Sequence, residues 1–384
     1  MMTEQATSPH AEPPAAPPAG PPAYDMSLTD HGFDAKEFRG LTYPLGDHAP
    51  GYGEIYPLAD DLGWTRMPVP GNLNHINLWL LDDDAAVAGG YAIADTGLFM
   101  PPTVDAWKAM FAGELSDKTP TRIFVTHFHP DHVGCAGWLA NKFKAPVWMN
   151  RTEWMMARLM ISDQRDAPPE EVLTRRRSYG YDDARIEKMR AAGWGNFARA
   201  VSRLPTHHVR MDEGDVVRVG KRDWTVLTGG GHTPEHACMI DYHNGVMIAG
   251  DQILPRITSN VSVMDTEPEA NPLFEWLASI DKFKAALPDD MLVLPAHGFP
   301  FKGVMQRLET LAEGHHKQLD ALEAALRGKE MRAVDTFQLL FGRPIADNIY
   351  GLATGEAVAH LRYLERAGRV RLEMRDGVGW YSAS

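Results

Sequence analysis

Four short polar blocks in this 384-residue chain combine residue types that bind metal ions. They are His127-Phe128-His129-Pro130-Asp131-His132, Gly231-His232-Thr233-Pro234, Gly250-Asp251 and Pro295-Ala296-His297-Gly298. Neutral imidazole together with carboxylate suits zinc, and to a lesser degree iron or manganese. On an extended loop, His127 and His129 at i and i+2 can face one ion, and Asp131 and His132 can then reach a neighbouring one. Any one of these histidines, taken alone, would read as an ordinary surface or core residue. Four blocks that each follow a strand-like run outweigh that reading, because strand ends followed by Gly- or Pro-containing turns let a rigid sheet present ligands to one pocket.

The elements that must position these blocks follow from periodicity and turn residues. Strand patterns run at 65–70, 75–81 and 91–96, and a helix is expected over 103–113, entered by Pro101-Pro102 and left at Gly113. TRIFVTH at 121–127 reads as a strand that ends on His127, Cys135–Phe143 as a helix, and PVWMN as the next strand. Residues 151–203 look mainly helical, an insert rich in Met and aromatic residues. Strands resume at 216–219, 224–228, 237–242 and 245–250, with Asn244-Gly245 suited to a type I′ hairpin turn. A helix at about 272–287 and a strand at 291–298 complete this part. A long helix then leads into two more helices and a terminal hairpin. Alternating strands and helices indicate a layered α/β fold. The expected organisation is a Pro/Ala-rich disordered tail over 1–25, a catalytic domain over 26–303 and a small C-terminal domain over 304–384.

Composition narrows the function. A net charge of −13 argues against nucleic acid and anionic lipid as partners, since both repel such a surface on average. Two cysteines, Cys135 and Cys238, cannot build a disulfide framework and fit a reducing compartment. With no apolar run long enough to span a bilayer and no signal-like start, the cytoplasm is the expected location. A nucleophilic role for either cysteine is not expected, because small buried thiols are common.

The order HFHPDH, GHTP, GD, PAHG resembles the metallo-β-lactamase superfamily over most of residues 60–300. The resemblance implies an αββα sandwich with its site at one edge of two sheets. It also implies a first metal position of His127, His129 and His232, and a second of Asp131, His132 and His297, with Asp251 bridging. Asp95 in ADTG matches a motif that supports the metal loop, although an ordinary turn carboxylate is an equal reading. The chemistry implied is hydrolysis by a hydroxide shared between two Zn2+ ions, with iron or manganese as alternatives and Asp131 orienting the nucleophile and handling a proton. Asp251 sets the chain apart from the zinc β-lactamases, and His129 from the diiron oxidoreductases, which carry a glutamate there. Hydroxyacylglutathione hydrolases, acyl-homoserine lactonases and RNase Z-like nucleases share the seven-residue set.

The segment TGEAVAHLRYLERAGRV with its hairpin resembles the winged-helix tail of a branch whose members include an endoribonuclease and glyoxalase-like proteins. Its charges are nearly balanced, so a packing or homodimer-forming role is expected over nucleic-acid binding. The leading expectation is a small-molecule carbonyl substrate, thioesters ahead of lactones and esters. Arg175-Arg176-Arg177 reads as a solvated charge run, and the pairs His207-His208 and His315-His316 as surface residues. His75, His236 and Glu235 could lie near the pocket, and Asn72, Asn74 and Asn77 have no evident chemical role.

Overall fold

Strand His75–Asp82 has the near-continuous apolar sequence HINLWLLD, and its burial on both faces explains why. Ile76, Leu78 and Leu80 pack with one hydrophobic cluster, while Trp79 and Leu81 pack with another. In the computed structural model, which describes residues 37–384 apart from Asp47 and Ala85, that strand lies inside a seven-stranded sheet. The expected tail over 1–25 lies outside the described residues.

The sheet runs Tyr56–Ala59, Leu62–Pro68, His75–Asp82, Gly90–Ala94, Thr119–Phe124, Val147–Met149, Val209–Arg210. Its first four strands pair antiparallel and the last four parallel. A five-stranded sheet follows, from Val216–Val219 through Arg222–Gly229, His236–Asp241 and Val246–Gly250 to Leu292–Pro295, the last pair parallel. Trp64, Trp79, Ala94 and Phe124 of the first sheet share one core with Trp224, Val226, Met239 and Ile248 of the second. Behind the first sheet lie Trp107 and Met110 of helix Pro101–Ala112 and Leu139 of helix Ala136–Phe143. Helix Pro272–Ala286 covers the second sheet with Leu273, Trp276, Ile280 and Phe283, the i, i+3, i+7 spacing of one helical face. The expected helix–sheet–sheet–helix order is the observed one.

Element boundaries shift by one to three residues. The strand expected to end on His127 stops at Phe124, which leaves Val125 to His129 as a loop. Asn244-Gly245 does not form a type I′ turn. Gly245 has φ +63° but Asn244 is not left-handed, and Asp241 pairs with Val246 across a four-residue loop. Asp241 decides this, since its carboxylate accepts bonds from the Asn244 backbone N–H and side-chain amide.

The insert forms helices Arg151–Ser162, Glu170–Ser178 and Asp183–Ala192 and joins two parallel strands of the first sheet. Its first helix packs into the core through Trp154 and Ala157. The later two pack against the C-terminal segment, where Leu173, Tyr181 and Ile186 meet Val334 and Tyr350. Arg175 and Arg176 are not solvated as expected, because both pair with Asp265 at 3.4 and 2.6 Å. The C-terminal segment contains helices Val304–Leu326, Phe337–Phe341 and Tyr350–Arg366 and the hairpin Val370–Arg375/Val378–Ala383. His315, expected at the surface, is buried in the core-facing side of the long helix, 3.3 Å from His360, whereas His316 is exposed.

Candidate metal centre

The carboxyl ends of strands Thr119–Phe124, Arg222–Gly229, Val246–Gly250 and Leu292–Pro295 converge, and all four polar blocks follow them. Atoms from His127, His129, His232 and Asp251 lie within 4.8 Å of one another, and so do atoms from Asp131, His132 and His297. All seven sequence-predicted residues thus meet in one place.

Donor separations define two positions. In the first, His127 Nε2 lies 2.9 Å from His129 Nδ1 and 3.3 Å from His232 Nε2, which is 3.4 Å from Asp251 Oδ2. In the second, His297 Nε2 is 3.3 Å from Asp131 Oδ2 and 3.4 Å from Asp251 Oδ1, and His132 Nε2 is 3.6 Å from the same Oδ1. Ligand atoms about 2.0–2.2 Å from a shared ion stand roughly 3.0–3.5 Å apart, so these spacings suit divalent cations. Asp251 turns one oxygen toward each group. Among the described residues, the buried His132 Nε2 and Asp251 Oδ1 also have no hydrogen-bond partner. Buried polar atoms are seldom left so, and these two point at each other across the second position. The residues fit two metal ions of the zinc, iron and manganese class.

The outer nitrogens fix the tautomers. Each Nδ1 faces an acceptor: Thr126 Oγ1 for His127 at 3.0 Å, Asp95 Oδ2 for His132 at 2.8 Å, Asn260 O for His232 at 2.8 Å and His75 O for His297 at 2.7 Å. The Nε2 atoms of these four rings are therefore free to ligate, and such partners raise ligand basicity. Asp95 is a loop brace. It adopts φ +60° and accepts bonds from the Thr126 backbone and hydroxyl as well as from His132.

Electrostatics favour a cation here. Burial alone would depress the His132 pKa, yet Asp95, Asp251 and Asp131 outweigh it and hold the ring well above its ordinary value. The His297 pKa is raised in the same way against burial, by Asp251 and Asp131. Burial dominates at His127, which is driven well down, and at His129, lowered to about 3 with help from His232. Burial would raise Asp131, but His132 and the bond from His297 hold it at about 2. Three carboxylates thus attract positive charge to the second position, while burial keeps His127 and His129 neutral at the first.

Several supporting residues carried no motif. Asn77 donates to Pro295 O and Gly298 O, both at 2.8 Å, and its backbone N–H bonds Ala296 O, which fixes the loop that carries His297. His75 accepts from Gly298 N–H at 3.1 Å, with its pKa lowered to about 2 chiefly by burial. His236 Nε2 accepts from the Asp251 N–H at 3.0 Å. Gly250 has φ +51°, and a Cβ there would stand 2.6 Å from the His236 ring. Glu153, fully buried on the first insert helix, accepts from Phe128 and Glu235 N–H at 2.9 and 2.7 Å and so ties two of the polar blocks together. Burial pushes its pKa up to about 7. Only the bridge between distant segments reveals these roles, and local sequence contains no sign of it. Cys135 and Cys238 are buried, with thiol pKa values raised by that burial, so neither is set up as a nucleophile.

This sheet order and double donor cluster define a metal-dependent hydrolase. The chain belongs to the metallo-beta-lactamase superfamily, whose family model matches residues 71–297, and a metallo-beta-lactamase-like C-terminal domain model matches residues 319–384. A beta-lactamase domain protein from Burkholderia ambifaria is similar in structure, with a TM-score of 0.81 and 36% identity over 90% of this chain and 98% of its own. A metallo-beta-lactamase family protein from Thermus thermophilus has a TM-score of 0.70 and 26% identity over 85% of this chain and 100% of its own. An atrochrysone carboxyl ACP thioesterase from Emericella nidulans is 28% identical over 171 residues, 44% of this chain and 52% of that protein.

Proposed function

We propose that this chain is a dinuclear zinc hydrolase of small carbonyl substrates, with thioesters the preferred class. Asp251 carries the reading, because one carboxylate addresses both donor groups and so makes a two-ion site from seven residues. His127, His129 and His232 would hold one ion, Asp131, His132 and His297 the other. When bound, the two ions supply water acidified to near neutrality and a Lewis-acid pull on the acyl oxygen. Asp131 is partly exposed, and with Oδ2 turned toward His297 its other oxygen can orient the attacking water and take a proton. The proton then passes to the departing thiolate as the carbon–sulfur bond breaks. The fungal thioesterase supports the thioester preference.

Thiol release from a panel of glutathione and coenzyme A thioesters tests this. Zinc-loaded protein should turn over at least one, and a His127→Ala, Asp131→Ala double variant should fall by about 100-fold or more. Turnover of lactones alone would move the assignment to lactonases, and turnover of neither would remove the small-carbonyl reading.

A second reading, a metal-dependent endoribonuclease, has one observation in its favour: three helices followed by a two-stranded hairpin is the order of a winged helix. The charges there oppose it. Arg332, Arg362, Arg369 and Arg375 all pair with acidic side chains. We assign the segment a packing role and expect no single-stranded RNA binding at low salt. Salt-sensitive binding would reverse the order of the two readings.

A further inference from the structure

Between Gly250 and helix Pro272–Ala286 the chain runs about twenty residues without helix or strand, beginning at Asp251 of the donor cluster. An irregular segment of this length takes its shape from what holds it, and here most of the anchors lie outside the catalytic sheets. At its start the Ser259 hydroxyl donates to Asp251 O. Next, Asn260 O accepts from His232 Nδ1 at 2.8 Å. The Asn260 side chain is gripped at both ends, its Nδ2 donating to Glu356 Oε2 at 2.7 Å and its Oδ1 accepting from the Ser262 hydroxyl. Ser262 also lies 3.2 Å from Leu352 O, and Val263 N–H donates to Gly355 O at 3.1 Å. Leu352, Gly355 and Glu356 all belong to the C-terminal helix Tyr350–Arg366. The approach is close: a Cβ on Gly355 would meet Ser262 Cβ at 2.8 Å.

We propose that Glu356, acting through Asn260, is a positioning residue of the first metal position, so that the C-terminal helix completes the site by setting the orientation of His232. The chain of contacts is Glu356 carboxylate, Asn260 side-chain amide, Asn260 carbonyl and His232 Nδ1–H. With its side chain clamped, Asn260 has little freedom to turn its carbonyl, and the ring that donates to it presents Nε2 toward His127 and Asp251. Among the described residues no comparable link runs to His132 or His297, whose partners are Asp95, in the loop after strand Gly90–Ala94, and His75, at the start of strand His75–Asp82. The C-terminal helix therefore supports one metal position selectively. This inference rests on His232 being a metal ligand.

The test is stepwise Co2+ titration of the full-length, metal-free chain, followed by absorption spectra, with His232→Ala identifying which step belongs to the first position. Glu356→Ala should weaken that step about 10–100-fold and leave the other within about threefold, the range typical of lost outer partners. Glu356→Gln keeps an acceptor oxygen for Asn260 and should restore the wild-type step. Should Glu356→Ala not fold, Asn260→Ala breaks the same chain while keeping the backbone carbonyl, and should show a smaller loss in the same step. Wild-type protein that takes up no Co2+ would overturn the metal reading itself. Two wild-type steps, both unchanged in the variants while metal-free unfolding is easier, would overturn only the positioning role and leave Glu356 as an interface contact.

Discussion

At the scale of single residues, the donor atoms depend on partners that never touch the reacting groups. Asp95 receives His132 Nδ1 and ties it to Thr126, so its loss should loosen the second metal position without unfolding the sheet. Asp95→Asn preserves a residue that tolerates the left-handed backbone while removing the charge. The expected result is metal affinity about 10–100-fold weaker, read by competition with a chromogenic chelator. Unchanged affinity would demote Asp95 to an ordinary turn residue.

At the scale of elements, the site is a set of loops cross-tied between sheets. Asn77 belongs to the first sheet and holds the loop after Leu292–Pro295 of the second. In Asn77→Ala the buried Pro295 carbonyl loses this donor, at about 1–3 kcal/mol, while the Gly298 carbonyl keeps a bond from Arg66 at 3.2 Å. The urea midpoint should fall accordingly, with activity lost alongside because His297 rides on the same loop. Helix Pro272–Ala286 offers a contrast. Phe283→Ala, two turns further along, empties a fully buried site and should cost about 3–5 kcal/mol while metal stoichiometry in the folded fraction stays at wild type.

At the scale of the whole molecule, linkage makes stability depend on metal and on pH. Ions that bind only the folded chain stabilise it by about 2.7 kcal/mol at a hundred times Kd, so zinc should raise the thermal midpoint and a chelator should reverse the gain. The C-terminal helices add a pH term. Burial is the main cause that lowers the pKa of His315 to about 3 and of His360 to about 4, both below the ordinary 6.5. An unfolded chain takes up those protons below about pH 6.5 and the folded chain does not. Their contribution is therefore complete above that pH and is lost as pH falls toward 4. A His315→Gln, His360→Gln double variant should lose less stability than wild type between pH 6.5 and 4, measured by denaturant titration at each pH. Equal losses would mean that neither ring stays neutral in the folded state. Among the described residues no helix is long and apolar enough to cross a membrane.

Local pattern determined much of this protein. Apolar runs such as HINLWLLD and the i, i+3, i+7 face of helix 272–286 mark elements that must be buried, and imidazole and carboxylate after strand ends mark the metal chemistry. Those signals are short-range, because strand and helix periods and ligand spacing repeat within a few residues. The convergence of the four blocks was decided only by tertiary structure, through the pairing of distant strands. The same holds for the supports: Asn77, His75, Glu153 and Glu356 each bond to a partner at least 82 residues away. A lone Asn or Glu looks the same in sequence whether it faces solvent or braces a buried carbonyl. Arg175, Arg176 and His315 depart from expectation for that reason, since their burial depends on Asp265 and His360, which only folding brings alongside.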